Sequence, residues 1–136
     1  MADLNGKRIF IVEDDVMNMA VYAITLKQHG ASVIQDPWNA NTLNMIKQFM
    51  PIDIVLLDLM LKGDVSGYDI HAKIRAENDF ADIPVLAVSA SDPTVEIPKT
   101  KEQGFNGFIS KPINVRLFPE QVLACIHGEK IWYDEQ

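Results

Sequence analysis

The sequence predicts an α/β fold in which helices cover both faces of a doubly wound, five-stranded parallel sheet. Short runs of continuous apolar, β-branched residues alternate with segments of helical period, which is typical of buried parallel strands joined by crossover helices. The 136 residues, 48% of them hydrophobic, suffice for one complete core. We therefore expect a single domain over residues 1–136, with its core at about 7–127 and a C-terminal tail at 128–136.

Five segments have the composition of buried strands, and they span residues 8–12, 32–35, 52–57, 84–88 and 107–110. The intervening segments carry apolar residues three and four positions apart, which is the period of a helix with one buried face. In the first helix this period selects four core-facing residues, Met17, Ala20, Val21 and Ile24. Pro98 would remove a hydrogen bond from the middle of the fourth helix, so we expect a short helix that begins at Pro98.

Composition narrows the classes of partner and compartment. The net charge of −7 disfavours binding to the phosphate backbone of nucleic acids. The lone Cys125 predicts no internal disulfide, and one cysteine with three scattered histidines predicts no four-ligand zinc site. No leader-like segment and no apolar run of membrane-spanning length is evident, so we expect a cytoplasmic protein without a membrane anchor.

Polar residues follow four of the predicted strands, at the sheet edge where ligands bind in doubly wound folds. Glu13, Asp14 and Asp15 follow the first strand, Asp58 the third, Ser89 and Ala90 the fourth, and Lys111 and Pro112 the fifth. Carboxylates on rigid strand ends are ligands that suit Mg²⁺. A hard cation, an ammonium and a hydroxyl around one carboxylate are also what an incoming phosphoryl group requires for charge neutralisation.

Four motifs in this order resemble the receiver domain of two-component response regulators, over about residues 7–127. They are Val-Glu-Asp-Asp at 12–15, Leu-Leu-Asp-Leu-Met at 56–60, Val-Ser-Ala at 88–90 and Phe-Ile-Ser-Lys-Pro-Ile at 108–113. Each motif alone is weak, but four of them at the ends of strands one, three, four and five form a strong signal. The resemblance implies a flavodoxin-like (βα)5 fold and a stand-alone phosphorylation switch.

The resemblance also implies a role for each site residue. Asp58 would be the phosphoacceptor, and a sensor histidine kinase or a His-phosphotransfer protein would supply the phosphoryl group. The Mg²⁺ ion, with Mn²⁺ as the other candidate, would be held by Asp14, Asp58 and the carbonyl of Met60, and through water by Glu13. Lys111 would pair with a phosphate oxygen and Ser89 would move onto the phosphate. The small Ala90 would leave the phosphate accessible, and the bond before Pro112 would be cis.

Two features depart from the family pattern. Phe108 stands where the family often has tyrosine, so it can change rotamer but cannot make the tyrosine's hydrogen bond. The loop after Asp58 is one residue longer than usual, and Lys62 and Gly63 replace a proline. We expect the loop at 61–67 to be mobile. Lys62 would approach the phosphoryl group or Asp64 the metal, unless the extra residue is only a solvent-facing bulge.

Several residues have simpler interpretations. Asp15 is expected to cap the first helix, and Met17 to fill the core. His29, His71 and His127 fall on helices or helix ends, where a solvated histidine or one that faces the helix dipole is the default. Residues 131–133 at the start of an otherwise polar tail are expected to fold back onto the domain, with a partner-binding tail as the alternative.

The expected switch would not be a conventional enzyme and would signal through a downstream protein target. Other functions compete with this interpretation. A degenerate receiver that binds partners without phosphorylation is the main alternative. A haloacid-dehalogenase-like phosphatase needs a second aspartate two residues after the nucleophile, where this chain has Met60. Three acids after the first strand disfavour a flavodoxin-like phosphate loop.

Overall fold

A computed structural model describes residues 2–38, 41–63 and 66–134. Six strands and five helices alternate along these residues, with a short 3₁₀ segment at Asn78–Phe80. The strands are β1 (Arg8–Val12), β2 (Ser32–Asp36), β3 (Ile54–Leu57), β4 (Val85–Ser89), β5 (Gly107–Ser110) and β6 (Ile131–Tyr133). The helices are α1 (Val16–Lys27), α2 (Thr42–Phe49), α3 (Gly67–Ala76), α4 (Pro93–Glu102) and α5 (Phe118–Ile126).

All strands pair in parallel, in the order β2-β1-β3-β4-β5-β6. The order reverses at β1, because the chain passes from β1 to β2 on one side and later returns to β3 on the other. In an open parallel sheet, the carboxyl ends of the strands beside such a reversal form the crevice where ligands bind. The residues after β1 and β3 therefore occupy the expected ligand-binding edge.

The sheet separates two apolar cores. One core packs the side chains of α1 and α5, such as Tyr22 and Phe118, against one face. The other packs Ile46, Ile70 and Phe105 against the opposite face. Helices thus cover both faces, as predicted for a doubly wound sheet, and none of those in the described residues has the length and apolar character needed to span a membrane.

The sheet has six strands, so the expected count of five is wrong. Residues 131–133 fold back as predicted, but they do so as β6, with Trp132 opposite Phe108 of β5. Gly107 permits this close approach, since a Cβ at that position would lie 2.5 Å from the carbonyl oxygen of Ile131. Trp132 packs on the side of α4, where the ammonium of Lys101 lies 5.1 Å from the centre of its ring.

The predicted core face of α1 is also wrong. The structure buries Met19, Tyr22, Ala23 and Leu26. Met17 is 73% exposed, and Val21 and Ile24 are exposed as well, so Met17 is not a core residue. The physical reason is that α1 carries apolar side chains on nearly all sides, which leaves two sets with the same helical spacing.

Pro98 lies inside α4 and does not begin it, contrary to the expectation of a short helix from Pro98. The helix starts at Pro93, where the missing amide costs nothing, and the side chain of Asp92 caps it by accepting from the amide of Thr94 at 3.0 Å. In the following turn, Thr100 is buried and donates to the carbonyl of Glu96 at 2.8 Å. Capping and packing therefore offset the single hydrogen bond that Pro98 removes.

His71 is neither solvated nor at a helix end, contrary to the default expected for these histidines. Its ring is 3% exposed and stacks on Phe105 with 3.9 Å between ring centres. Burial, with a smaller contribution from the charge of Arg75, lowers the pKa of His71 to about 4. His71 is therefore a neutral core residue near neutral pH.

Candidate functional site

The carboxyl ends of β1, β3 and β5 bring four charged side chains to one edge of the sheet. Glu13 and Asp14 follow β1, Asp58 follows β3 and Lys111 follows β5. One carboxylate oxygen from each of the three acids lies within 4.8 Å of the others. Asp58 and Glu13 are 6% and 2% exposed, so both carboxylates sit at the margin of the core.

Lys111 is the cation that compensates these buried acids. Its Nζ donates to Oε1 of Glu13 at 2.7 Å and to Oδ2 of Asp58 at 2.9 Å. Burial lowers the pKa of Lys111, but the hydrogen bonds to the two carboxylates outweigh it and the net pKa lies above its usual value. Burial raises the pKa of Glu13, and the hydrogen bond from Lys111 offsets part of this rise. The ammonium thus offsets the repulsion and desolvation of the strand-end carboxylates.

Backbone amides hold the remaining carboxylate oxygens. Oδ1 of Asp58 accepts from the amide of Met60 at 3.1 Å, and Oε2 of Glu13 accepts from the amide of Asp15 at 3.1 Å. Oδ2 of Asp14 accepts from the amide of Lys62 at 2.9 Å. Each acid is therefore oriented by the chain that follows β1 or β3.

Gly67, the first residue of α3, lies directly against the backbone of Asp58. A Cβ at this position would lie 2.3 Å from the carbonyl oxygen of Asp58 and 2.7 Å from Cα of Leu59. The extra residue in the preceding loop does not prevent this approach. A glycine nine positions after Asp58 therefore lets α3 pack beside the site.

The fourth strand contributes Ser89 and Ala90. Ser89 is fully buried, and its Oγ donates to Oγ of Ser91 at 3.1 Å, which is a hydrogen bond within its own loop. Ala90 is exposed beside it. Phe108 of β5 is fully buried within the core on the side of α2, α3 and α4. The Lys111–Pro112 peptide bond is cis.

The loop after Asp58 is held at Lys62. Besides the bond to Asp14, its carbonyl accepts from Nε1 of Trp38 at 2.8 Å. The side chain of Lys62 is exposed, while Asp64, the alternative metal-facing acid, lies outside the described residues. The interpretation of Asp15 as a helix cap is confirmed, since its side chain accepts from the amide of Asn18 at 2.9 Å.

Sequence reasoning missed two residues near the site. Trp38 reaches it from the loop after β2, and no local pattern marks this contact. Tyr22 belongs to the face of α1 that the sequence left out of the core. Burial and the carboxylates of Glu13 and Asp58 raise the pKa of Tyr22 above its usual range, so its hydroxyl stays protonated.

A doubly wound parallel sheet with an acid pair, a further aspartate and a lysine at its switch point defines a receiver-type α/β domain. Comparison with known families agrees. The chain belongs to the response regulator receiver domain family, which matches residues 9–123.

The chain is also similar in sequence to a named relative and in fold to two solved structures. The Brucella anthropi protein named polar-differentiation response regulator DivK is 28% identical over 120 residues, which cover 88% of this chain and 96% of the relative. A putative response regulator from Chloroflexus aurantiacus superposes with a TM-score of 0.80 at 23% identity, covering 89% of this chain and 98% of that one. The Vibrio cholerae chemotaxis protein CheY4 has a TM-score of 0.78 at 16% identity, covering 88% and 98%. These two structures share the fold of this chain.

Proposed function

We propose that this chain is a phosphorylation-activated signalling switch in which Asp58 accepts a phosphoryl group. One observation carries the proposal. The Lys111 ammonium bonds to both Asp58 and Glu13, at the same sheet edge where the carboxylate of Asp14 lies within reach of both acids. A nucleophilic carboxylate, a fixed cation and two further acids at one crevice are the groups that phosphoryl transfer to an aspartate needs.

The proposed transfer uses the carboxylate of Asp58 as the nucleophile. A carboxylate oxygen attacks the phosphorus of a phosphohistidine on a sensor histidine kinase or a His-phosphotransfer protein. The bond from phosphorus to the histidine nitrogen breaks, and an acyl phosphate forms on Asp58. Lys111 already lies 2.9 Å from Asp58, so its ammonium can pair with an oxygen of the arriving group with little movement.

The donor set fits a magnesium ion. Glu13, Asp14 and Asp58 supply only oxygen ligands, which Mg²⁺ prefers. Asp14 and Asp58 would bind the ion directly with the carbonyl of Met60, and Glu13 would hold a bound water. When bound, Mg²⁺ neutralises the charge that accumulates on the phosphoryl oxygens. Mn²⁺, another hard ion, would suit the same ligands.

The phosphodonor is proposed to be a protein that docks beside the acids. Val16 and Met17, 80% and 73% exposed, start α1 just after Glu13, Asp14 and the helix cap Asp15. Exposed apolar side chains at this position offer a protein partner a surface next to Asp58. The net charge of −7 favours proteins over nucleic acids as partners. A free, buried Cys125 is compatible with the proposed cytoplasmic location.

Output is proposed to pass through the surface around β5 to a downstream protein target. Ser89 would leave Ser91 for the phosphoryl group, and the space vacated would change the packing of Phe108. Because β6 pairs with β5, with Trp132 opposite Phe108, the signal would reach a surface that includes this strand. Amide exchange with and without beryllofluoride should then change across residues 94–115 and not only around Glu13 and Asp58.

We place this function in one receiver domain with its core at about residues 7–127, to which β6 adds an edge strand. The chain would promote its own phosphorylation and dephosphorylation and would act on no further substrate, so it would not be a conventional enzyme. A degenerate receiver that only binds partners is the alternative, and the phosphorylation experiment separates the two.

The proposal is tested by intact mass spectrometry after incubation with acetyl phosphate. With Mg²⁺ the wild type should gain the mass of one phosphoryl group, and with a metal chelator it should gain none. If the wild type stays unmodified in the presence of both acetyl phosphate and Mg²⁺, the proposal is wrong and the degenerate receiver is the better interpretation. The matched control is Asp79→Asn, which changes an exposed acid of the 3₁₀ segment outside the cluster and should leave phosphorylation unchanged.

A further inference from the structure

Trp38 adopts an unusual backbone conformation just after β2. Its φ is 65°, and it is the sole non-glycine residue with positive φ among the residues that the structure describes. Bulky side chains avoid this region because Cβ approaches the backbone, so such a residue persists only where its surroundings fix it. Two contacts of Trp38 account for this conformation, one at its backbone amide and one at its indole nitrogen.

A buried aspartate holds the backbone of Trp38. Asp36, the last residue of β2, is fully buried, and its Oδ1 accepts from the amide of Trp38 at 2.9 Å. Its Oδ2 accepts from Oγ1 of Thr42, the first residue of α2, at 2.5 Å. Trp38 and Thr42 are thus both bonded to Asp36, one through each carboxylate oxygen.

The indole of Trp38 crosses to the loop after Asp58. Its Nε1 donates to the carbonyl of Lys62 at 2.8 Å, and the amide of Lys62 donates to Oδ2 of Asp14 at 2.9 Å. Both backbone groups of Lys62 are thus engaged, one by Trp38 and one by Asp14. This is the loop in which Lys62 and Gly63 stand in place of a rigid proline, so its restraint comes from outside the loop.

We propose that Trp38 is a positioning residue for the metal ligand Asp14, acting through the backbone of Lys62. The indole holds the Lys62 residue where its amide fixes the carboxylate of Asp14. A ligand oriented in advance loses less rotational freedom when it binds a cation, so the affinity for Mg²⁺ rises. The inference rests on the proposed function, because it concerns the metal that phosphorylation would use.

The test measures two quantities for each variant and the wild type, without any phosphodonor. They are the affinity for Mg²⁺, by isothermal titration calorimetry, and the hydrogen-exchange rate of the Lys62 amide. Trp38→Phe keeps an aromatic ring to pack on the core but removes the indole donor. It should bind Mg²⁺ roughly threefold to tenfold more weakly, the effect of losing one hydrogen bond, and its Lys62 amide should exchange faster. Trp132→Phe, the matched change at the other tryptophan, should alter neither quantity.

Two variants of Lys62 keep the test decisive if Trp38→Phe folds poorly. Lys62→Pro removes the amide that bonds Asp14 and should also weaken Mg²⁺ binding. Lys62→Ala keeps both backbone groups and should bind Mg²⁺ no more weakly than the wild type. Unchanged Mg²⁺ affinity in Trp38→Phe and Lys62→Pro would overturn the inference, as would a wild type that binds no Mg²⁺. Normal Mg²⁺ binding without phosphorylation would overturn only the proposed function.

Discussion

The ammonium of Lys111 lies 2.9 Å from the carboxylate of Asp58, although 53 residues separate them in the chain. The same ammonium lies 2.7 Å from Glu13. A lysine held between two buried acids stabilises both as anions and competes with any second cation for them. Lys111 and a divalent ion therefore compete for the same carboxylates. Removing an acid should weaken metal binding, whereas removing the lysine should not.

Asp14 and Lys111 should differ in their effects on Mg²⁺ affinity. Asp14→Ala removes a direct ligand and should weaken Mg²⁺ binding by at least about tenfold. Lys111→Met removes a competing cation, so its Mg²⁺ affinity should equal or exceed that of the wild type. Calorimetric titration of each protein with Mg²⁺ measures both. Equal affinity in Asp14→Ala and the wild type would contradict the assignment of Asp14 as a ligand.

Met17 and Met19 provide a matched pair on α1, with one exposed and one buried side chain. Met19→Ala leaves a cavity in the core and should lower the free energy of unfolding by about 2–5 kcal/mol. Met17→Ala should change it by no more than about 0.5 kcal/mol, because its side chain contacts mainly solvent. Urea denaturation measures both values. A larger loss for Met17→Ala would mean that α1 presents its other face to the sheet.

Gly107 should be needed for β6 to pair with β5. In Gly107→Ala the new Cβ would meet the backbone oxygen of Ile131, which cannot rotate away. We expect a loss of about 1–3 kcal/mol in the free energy of unfolding, and faster amide exchange at β6. In a chain that ends at Lys130 the clash with Ile131 is absent and only the flexible side chain of Leu86 remains close, so the same substitution should cost less. An equal cost in both chains would show that β6 is not what requires the glycine.

His71 should make the stability of the fold depend on pH. Its pKa is about 4 in the folded protein and near 6.5 when unfolded, so the unfolded chain binds the proton first as the pH falls. Stability should therefore be lost between about pH 6.5 and 4, by about 2 kcal/mol at pH 5 relative to pH 7. His71→Leu, compared by urea denaturation, should lack this loss, whereas His127→Leu at an exposed position should retain it. A His71→Leu protein with the wild-type pH profile would rule out this contribution.

Much of the site could be predicted because it depends on simple rules. Continuous apolar runs mark the strands, and parallel strands place their following residues at one edge, so Glu13, Asp58 and Lys111 had to converge. Burial of an aspartate after six mostly apolar residues follows from the same pattern. These predictions needed the order of the elements but no detailed packing.

Other features depend on contacts that leave no local pattern. The apolar residues of α1 fit two helical faces equally, and only the sheet against which α1 packs selects Met19 over Met17. The three residues of β6 are too short to signal a strand by themselves. Trp38 meets Lys62 across 24 residues, between two loops whose conformations the sequence does not fix.

The most direct test of Asp58 as the phosphoacceptor is to map the modified residue chemically. An acyl phosphate is reduced by borohydride, which converts a phosphorylated aspartate into homoserine. After incubation with acetyl phosphate and Mg²⁺, followed by reduction and proteolysis, mass spectrometry should find homoserine at position 58 alone. Asp58→Asn should yield no homoserine. Homoserine at position 14 or 15 in the wild type, or a phosphoryl group that still attaches to Asp58→Asn, would contradict the assignment of Asp58.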